Sequence, residues 1–307
     1  MLDMPASSNT GWTGYRVALE LAAPLHIGWR TVGNLKQTRP YVTGTAIWGA
    51  LVARLARDHM QQDYRRAEQW VKDFLRFTYL YPSSASDSVK LWPWAGQQSQ
   101  FEWEHLNSYT SAALREGRMH EPGMLHEIEH LTARTRSGKP VFLLGYCWAR
   151  PEFTADLKTL WGSAQFGGER SYGFGRIRQV ILAEMTAEDL VFETYRAVPG
   201  NEVVLLPDGE HTLLAHVVHV KAESPESFSR SRVEPLVGRR IGKRREKEKS
   251  DDESSRAEAL IGRRMEPVGR FNLSTSLAAY APGTVCKMSS AWRIGEWGLW
   301  NELDCRL

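Results

Sequence analysis

Cysteine is scarce in this chain, and its positions exclude two kinds of protein. Among 307 residues there are three cysteines, Cys147, Cys286 and Cys305. They are widely separated, so they form neither the close pairs of a cysteine-rich metal site nor the framework of a disulfide-stabilised secreted domain. This pattern is typical of a protein that folds in a reducing compartment. We expect a cytoplasmic location and no metal or other cofactor.

Long apolar runs are also missing. No stretch of the sequence approaches the roughly 20 apolar residues that a membrane-spanning helix needs. Residues 1 to 8 lack the basic and apolar regions of a secretory signal peptide. The sequence therefore predicts a protein without a membrane partner.

A large excess of charge of one sign is absent as well. The formal net charge is +3, which falls short of the strongly basic balance that by itself indicates a nucleic-acid-binding protein. The local distribution is more informative, because residues 28 to 40 contain three basic residues and no acid. A basic loop beside a strand end is a natural phosphate site, although an ordinary solvated loop can have the same composition.

The most informative segment that is present is the glycine loop, residues 167 to 176. It contains four glycines in ten residues, alternating with arginine and aromatic side chains. Glycine permits positive φ and close approach of a ligand, arginine suits phosphate, and aromatic rings stack on bases. No Gly-Lys-Ser/Thr follows, and the next residues alternate like a strand, so the nucleotide-binding glycine motifs do not fit. The loop favours single-stranded nucleic acid.

The order of predicted elements indicates an α+β fold. The periodicities predict strands over residues 15 to 21, 141 to 148 and 176 to 182, and helices over residues 45 to 59, 64 to 77 and 153 to 160. Residues 83 to 102 look like an insertion loop. This order is close to the βαββαβ plan of a ferredoxin-like, RRM-like domain.

Three blocks resemble the CRISPR-associated RAMP superfamily, whose members are built from ferredoxin-like domains and bind CRISPR RNA. The first block is the glycine loop. The second is residues 25 to 30 with residues 41 to 51, which are similar to the family's first-strand exit and first helix. The third is residues 128 to 148, where Ser137-Gly138-Lys139-Pro140 separates two strand-like runs that resemble the family's central hairpin.

Within the superfamily, the chain resembles the subunit that caps the five-prime end of CRISPR RNA in type III effector complexes. The resemblance implies a ferredoxin-like RAMP domain over residues 1 to 185 and a smaller, degenerate ferredoxin-like domain over residues 186 to 307. The implied partners are CRISPR RNA, other RAMP backbone subunits, a large polymerase-like subunit and, indirectly, the target nucleic acid.

The resemblance also implies a set of residues that hold the repeat-derived five-prime handle of the RNA. At the first-strand exit and in the basic loop that follows it, they are His26, Gly28, Trp29, Arg30, Lys36 and Arg39. In the glycine loop they are Gly167, Gly168, Arg170, Ser171, Tyr172, Gly173, Phe174, Gly175 and Arg176. The basic residues would neutralise phosphates, while Tyr172, Phe174 and Trp29 would stack on bases.

The same resemblance argues against cleavage of target RNA by this chain. Backbone subunits that cut the target carry an aspartate between the first strand and the first helix, whereas residues 28 to 40 contain no acid. Without a carboxylate, nothing at that position can hold a metal or take a proton. We expect no catalytic residue, and a function of positioning the guide.

Two enzymatic alternatives stay open, beside a generic RNA-binding protein outside CRISPR. The first is a CRISPR RNA-processing RAMP endoribonuclease that uses His26 as general acid or base. The second is a zinc metalloprotease, because His126-Glu127-Ile128-Glu129-His130 contains two histidines four residues apart and a glutamate. That pattern needs a helix, whereas the alternation around it favours a strand.

The second half of the chain has weaker patterns. Residues 203 to 206 and 211 to 220 predict a hairpin around Pro207-Asp208-Gly209. Residues 229 to 249 hold nine Lys or Arg against three acids, which predicts a flexible basic insertion over about residues 229 to 257. The tryptophan-rich segment 292 to 300 predicts a terminal strand.

Overall fold

The computed structural model describes residues 11–88, 97–111, 126–217, 279–286 and 290–303. It also gives the backbone of four short strands between residues 228 and 273. The predicted basic insertion of residues 229 to 257 lies outside the described residues, except for the backbone of residues 229, 233 and 234.

The described elements form a mixed α+β fold, as the sequence predicts. The helices are α1 (Gly44–His59), α2 (Tyr64–Phe74), α3 (Gln98–His105) and α4 (Leu157–Ser163). The strands of the first part are β1 (Thr13–Leu21), β2 (Gly28–Val32), β3 (Leu35–Thr38), β4 (Leu75–Phe77), β5 (Tyr81–Ser83), β6 (Leu106–Ser111), β7 (His126–Leu131), β8 (Phe142–Ala149) and β9 (Ile177–Glu184).

The remaining strands are shorter. They are β10 (Leu190–Val191), β11 (Tyr195–Pro199), β12 (Val203–Pro207), β13 (His211–Thr212), β14 (Phe228–Ser229), β15 (Val233–Glu234), β16 (Arg263–Met265), β17 (Phe271–Leu273), β18 (Ala279–Tyr280), β19 (Val285–Cys286), β20 (Ala291–Ile294) and β21 (Trp300–Leu303).

The central sheet is antiparallel and has the order β4-β8-β1-β9, with β5 also paired to β8. The chain reaches it by alternating strands and helices, with α1 and α2 between β1 and β4 and with α4 between β8 and β9. The predicted strands at residues 15 to 21, 141 to 148 and 176 to 182 are confirmed as β1, β8 and β9.

The central sheet is buried on both faces, as the side chains of β8 show. Leu143 and Cys147 belong to a core with the helices α1, α2 and α4. Tyr146 and Trp148 point the other way and join a second core with Tyr195, Trp292 and Trp300 of the C-terminal part. Because successive side chains of a strand face opposite sides, β8 has few polar positions, which explains its continuous apolar sequence.

The helices follow the predicted pattern with two corrections. The helix predicted over residues 153 to 160 spans Leu157–Ser163 instead, because Asp156 caps its first turn. Ile47, Leu51 and Leu55 are buried along one face of α1. Asp63 caps α2 by accepting a hydrogen bond from the Arg66 backbone at 3.0 Å. The predicted helix of residues 64 to 77 ends at Phe74 instead, because residues 75 to 77 pair with β8 as strand β4. Tertiary pairing outweighs helical periodicity there.

A second sheet, with the order β2-β3-β7-β6, lies beside the central one. Three predictions for this region are corrected. Residues 28 to 40 form the β2–β3 hairpin rather than a loop. The predicted insertion loop 83 to 102 contains the start of α3. The predicted central hairpin of residues 128 to 148 is confirmed only at its turn, where Arg134 and Pro140 form an antiparallel bridge. Its two long strands separate, because β7 pairs with β3 and β6 while β8 enters the central sheet.

The C-terminal part contributes a sheet with the order β10-β11-β12-β20-β21. The predicted hairpin of residues 203 to 220 is wrong, because β12 pairs with β11 and β20 whereas β13 pairs with β19. The terminal strand predicted over residues 292 to 300 is confirmed only in part, because the segment folds into the two strands of the β20–β21 hairpin. In the part of the chain that is described, no helix combines the length and the apolarity that crossing a membrane requires.

Candidate nucleic-acid interface

The glycine loop is fixed against the segment that leaves β1. The Gly168 backbone donates to the His26 carbonyl at 2.8 Å, and the Gly175 backbone donates to the Pro24 carbonyl at 2.7 Å. A Cβ on Gly167 would be 2.3 Å from the His26 carbonyl oxygen, and one on Gly175 would be 1.9 Å from the Phe166 oxygen. Both glycines also have φ of +75°. These glycines permit close approach of the chain to itself.

The middle of the loop projects outward as a short 3-10 helix, Arg170–Tyr172. It is bounded by two residues with positive φ, Glu169 at 53° and Gly173 at 84°. Arg170, Ser171 and Tyr172 are exposed, Tyr172 at 55%. Because both ends of the loop are hydrogen-bonded to the protein, this turn presents its side chains from a fixed base.

The loop packs on one face of the β2-β3-β7-β6 sheet. The Lys36 ammonium forms an ion pair with the Glu169 carboxylate at 2.9 Å. The Phe174 ring packs edge-on against His130 with ring centroids 5.4 Å apart. The predicted phosphate ligand Lys36 therefore already has an anionic partner in this structure.

Two predicted contacts lie in the interior. Arg39 is 3% exposed, and its guanidinium donates to the Tyr41 hydroxyl at 3.2 Å. Phe174 is 8% exposed in its contact with His130. Neither side chain is open to a phosphate or a base, so the structure removes both from the candidate interface.

His26 is a support of the loop. It is buried, and its Nδ1 lies 2.7 Å from the Glu129 carbonyl oxygen, so Nδ1 carries the proton and donates. Its carbonyl accepts the hydrogen bond from Gly168. The imidazole lies under the loop, since a Cβ on Gly168 would be 3.4 Å from its Cδ2 atom.

The β2–β3 hairpin carries the remaining predicted residues. The Arg30 guanidinium lies 4.2 Å from the Trp29 ring centroid, and its Nε donates to the Gln37 side chain at 2.6 Å. Gly28 and Arg30 are exposed and Trp29 is half-buried. In the glycine loop, Arg176 is also exposed. These residues can reach a ligand.

The histidine pair of the metalloprotease pattern does not converge. Residues 126 to 131 form the strand β7, as the local alternation predicts. At about 3.3 Å per residue, His126 and His130 are about 13 Å apart along it. Burial lowers the pKa of His130, and the neighbouring His26 lowers it further. Among the described residues, no group of three or more His, Cys, Asp or Glu is arranged to hold a metal.

A polar cleft of about 300 Å³ lies between α1 and the glycine loop. Its lining includes Arg54, Arg57, Ser163, Gln165, Arg170 and Ser171. Arg54 donates to Asp58 at 2.6 Å, while in the described part of the chain no carboxylate forms an ion pair with Arg57 or Arg170. No motif in the sequence marks Arg54 and Arg57 as ligands, although their spacing of three on a helix places them on one face.

An exposed tyrosine of β6 also lies at the glycine loop, and the sequence does not predict it there. Tyr109 is 46% exposed, and its ring centroid lies 6.4 Å from that of Tyr172, with 50° between the ring planes. No motif surrounds Tyr109, and only the pairing of β6 with β7 brings it to the glycine loop.

Comparisons with known proteins return structural likenesses only. No protein-family model matches the chain, and no curated protein matches it. The chain is similar to a chain of the cryo-EM structure of the type III-B Cmr-beta bound to cognate target RNA and AMPPnP, state 1. The identity is 12%, the match covers 89% of this chain and 86% of that chain, and the TM-score is 0.45.

A second likeness is to a chain of the type III-B Cmr-beta bound to cognate target RNA. The identity is 14%, the match covers 57% of this chain and 61% of that chain, and the TM-score is 0.37. Both TM-scores are below 0.5, so neither likeness assigns a fold family, a partner or a ligand to this chain.

Proposed function

We propose that this chain is a CRISPR RNA-binding subunit of a type III effector complex that holds the five-prime handle of the guide. The observation that carries the proposal is the glycine loop. Its base is hydrogen-bonded to Pro24 and His26, while Arg170, Ser171 and Tyr172 project from it. A fixed turn with an arginine and an aromatic ring suits a single strand, which offers phosphates and open bases together.

The electrostatics around the turn support an anionic ligand. Arg54, Arg57 and Arg170 line one cleft, and only Asp58 offsets their charge by an ion pair in the described part of the chain. Arg176, the last residue of the glycine loop, is exposed. Arg30, four residues after His26 in the sequence, is also exposed. Arginine binds phosphate oxygens in a bidentate manner, so these side chains suit a sugar-phosphate backbone.

The proposal includes the fold that the resemblance implies. The central sheet and its helices follow the chain order β1, α1, β4, β8, α4, β9, which is the order of a ferredoxin-like domain. We propose that this is the RAMP domain of residues 1 to 185. The degenerate second ferredoxin-like domain of residues 186 to 307 stays a prediction, as do the partner subunits.

The proposed mechanism is positioning without bond cleavage. His26 is buried beneath the loop and hydrogen-bonded to the Glu129 carbonyl, which suits a supporting role. A fixed five-prime end would set the register of the guide for the neighbouring subunits. The processing endoribonuclease, with His26 as its acid or base, is the alternative that the same experiment tests.

The experiment measures binding and cleavage of labelled RNA by the purified chain. The RNA carries a repeat-derived handle or a scrambled one, and the assay is done with and without Mg²⁺. We expect the chain to bind the true handle more tightly than the scrambled one and to leave the RNA intact. The double variant Arg170→Ala, Arg176→Ala should bind the true handle more weakly. Arg65→Ala, which changes an exposed arginine of α2, is the matched control.

Two outcomes would contradict the proposal. Equal affinity for the true and scrambled handles would mean that the chain does not recognise the five-prime end. Cleavage without metal that is lost in His26→Gln would instead support the processing endoribonuclease.

A further inference from the structure

We propose that the bound RNA crosses the Arg170–Tyr172 turn with its phosphates in the cleft beside α1 and one base stacked on the pair Tyr109 and Tyr172. This inference rests on the proposed function, since it assigns the orientation of the strand in that site. It adds Arg54, Arg57 and Tyr109 to the interface.

The α1 side of the turn is cationic. Arg54 and Arg57 come from α1, and Arg170 and Ser171 come from the turn, yet all four line one cleft. The Arg170 Nε is oriented by a hydrogen bond to the Gly167 carbonyl at 3.2 Å. The Ser163 hydroxyl and the Gln165 amide donate to carbonyls of the protein itself, which leaves the guanidinium groups and the Ser171 hydroxyl as the donors for a ligand. Guanidinium and hydroxyl groups around a cleft open to solvent match the oxygens of a phosphodiester.

The opposite side of the turn is aromatic. Tyr172 follows Ser171 directly, but its ring contacts Tyr109 of β6. At 6.4 Å between centroids and 50° between planes, the two rings contact each other and leave no space for a base between them. About half of each side chain stays exposed, 46% for Tyr109 and 55% for Tyr172. The pair therefore offers its outer surface to a base.

The row of residues beneath the loop explains this placement. Lys36 and Tyr109 are both opposite Ile128 in the sheet, on either side of β7. Opposite residues of paired strands project to the same face. On this face Ile128 is buried in the middle, while Lys36 on one side pairs with Glu169 and Tyr109 on the other contacts Tyr172. The sheet thus holds the turn so that its arginine and its tyrosine face different neighbours.

A single RNA strand likewise has its charged groups and its aromatic groups on different edges. Its phosphates lie along one edge and its bases project from the other, so a strand crossing the turn can satisfy the cleft and the tyrosine pair together. The phosphates would face α1 and the base would face β6. An acidic protein segment could use the cleft, but it would leave the exposed tyrosines without a stacking partner.

The first test is the salt dependence of RNA affinity, measured on the full chain with a fluorescent handle RNA. Each phosphate contact on a single strand contributes about 0.7 to the slope of log affinity against log salt concentration. The double variant Arg54→Ala, Arg57→Ala should therefore lower that slope by about 1.4, while Arg65→Ala should leave it unchanged. Tyr109→Ala should lower the affinity by about fivefold to hundredfold at an unchanged slope.

The second test locates the stacked base. A fluorescent 2-aminopurine is placed at each handle position in turn, because stacking on an aromatic ring quenches its emission. One position should be quenched by the wild-type chain and regain emission with Tyr109→Leu, which keeps an apolar side chain without a ring. Tyr109→Phe should keep both the quenching and the affinity.

The outcomes separate this inference from the proposed function. Handle-specific binding that Tyr109→Ala and the double arginine variant leave unchanged would overturn the inference and leave the proposed function in place. Loss of binding to partner subunits, but not to RNA, in the arginine variant would make the cleft a protein-docking site. Absence of any RNA binding by the wild-type chain would overturn both.

Discussion

Gly173 and Gly175 have similar backbone conformations but different surroundings, with φ of +84° and +75°. A Cβ on Gly173 would meet only the Arg176 side chain at 3.9 Å, whereas on Gly175 it would be 1.9 Å from the Phe166 carbonyl oxygen. Gly173→Ala should therefore cost about 1–2 kcal/mol of unfolding free energy from the left-handed backbone alone. Gly175→Ala should cost about 3 kcal/mol or more, since the backbone must also move.

Urea unfolding of the two variants measures this difference. RNA affinity of each refolded variant adds a second readout, because Gly175 lies at the fixed base of the loop and Gly173 at its exposed turn. Equal unfolding free energies for the two variants would contradict the close contact with Phe166.

Glu169 is the only acid in the glycine loop, and it pairs with Lys36. A phosphate of the RNA has to compete with this carboxylate for the Lys36 ammonium. Glu169→Gln should raise RNA affinity by about twofold to fivefold, because an ion pair at the protein surface, such as this partly exposed one, contributes about 0–1 kcal/mol. The measurement is titration of handle RNA at low salt, where the gain should be largest.

A matched control for Glu169→Gln exists in the C-terminal sheet. Glu202→Gln breaks a more exposed ion pair, with Arg293 at 3.1 Å, and should leave RNA affinity unchanged. Weaker binding by Glu169→Gln would mean that the ion pair holds the loop in its binding conformation.

At the scale of elements, β8 and β2 represent two extremes of strand environment. β8 has hydrogen-bonded neighbours on both sides, and seven of its eight residues are buried. β2 is an edge strand whose residues are exposed except for the half-buried Trp29. Amides of β8 should exchange hydrogen only on global unfolding, whereas those of β2 should exchange through local opening of much lower free energy.

Hydrogen exchange followed by mass spectrometry measures both strands in one sample. Addition of handle RNA should slow exchange in β2 and in the glycine loop and leave β8 unchanged. Uniform slowing across the chain would show that RNA stabilises the whole fold without contacting the β2–β3 hairpin.

At the scale of the molecule, the second core joins the first sheet to the C-terminal part. His216 is fully buried in it, and its Nδ1 is 2.8 Å from the Tyr79 hydroxyl. Burial holds the pKa of His216 well below its ordinary value, and the nearby Arg39 lowers it further. Burial also lowers the pKa of His211, whose Nε2 accepts a hydrogen bond from the Trp292 indole at 2.8 Å.

These lowered pKa values predict a loss of stability in acid. Below about pH 6.5 the unfolded chain binds a proton at each histidine that the folded chain does not. The unfolding free energy should therefore decrease as the pH falls below 6.5, by up to about 1.4 kcal/mol per pH unit for each such histidine. In His216→Gln, the loss of unfolding free energy on acidification should be smaller than in the wild-type chain by the contribution of one histidine.

Unfolding free energies at pH 5.5 and pH 7.5 test this prediction. Tyr79→Phe is the control, because it removes the same hydrogen bond while it keeps the imidazole, so it should lower stability at both pH values and retain the pH dependence. The same pH dependence in the wild-type chain and in His216→Gln would contradict the assignment.

Local patterns predict those elements whose burial agrees with their periodicity. The alternation of residues 15 to 21 and the spacing of Ile47, Leu51 and Leu55 are enough to predict β1 and α1. Local periodicity gives the wrong prediction at residues 75 to 77, which form a strand paired with β8 and not the end of a helix. It also fails at residues 128 to 148, because adjacent strands in sequence can enter different sheets.

The sequence by itself determined the mixed α+β class, the strands β1, β8 and β9 of the central sheet, and the glycine loop with its arginines and Tyr172. It did so because glycine content, periodicity and residue chemistry are local properties. Only the tertiary structure decided that Arg39 and Phe174 are buried, that Lys36 is paired with Glu169, and that Arg54, Arg57 and Tyr109 lie beside the loop. These facts depend on which distant segments pack together, and the pairing of β6 with β7 and the packing of α1 beside the loop are non-local contacts.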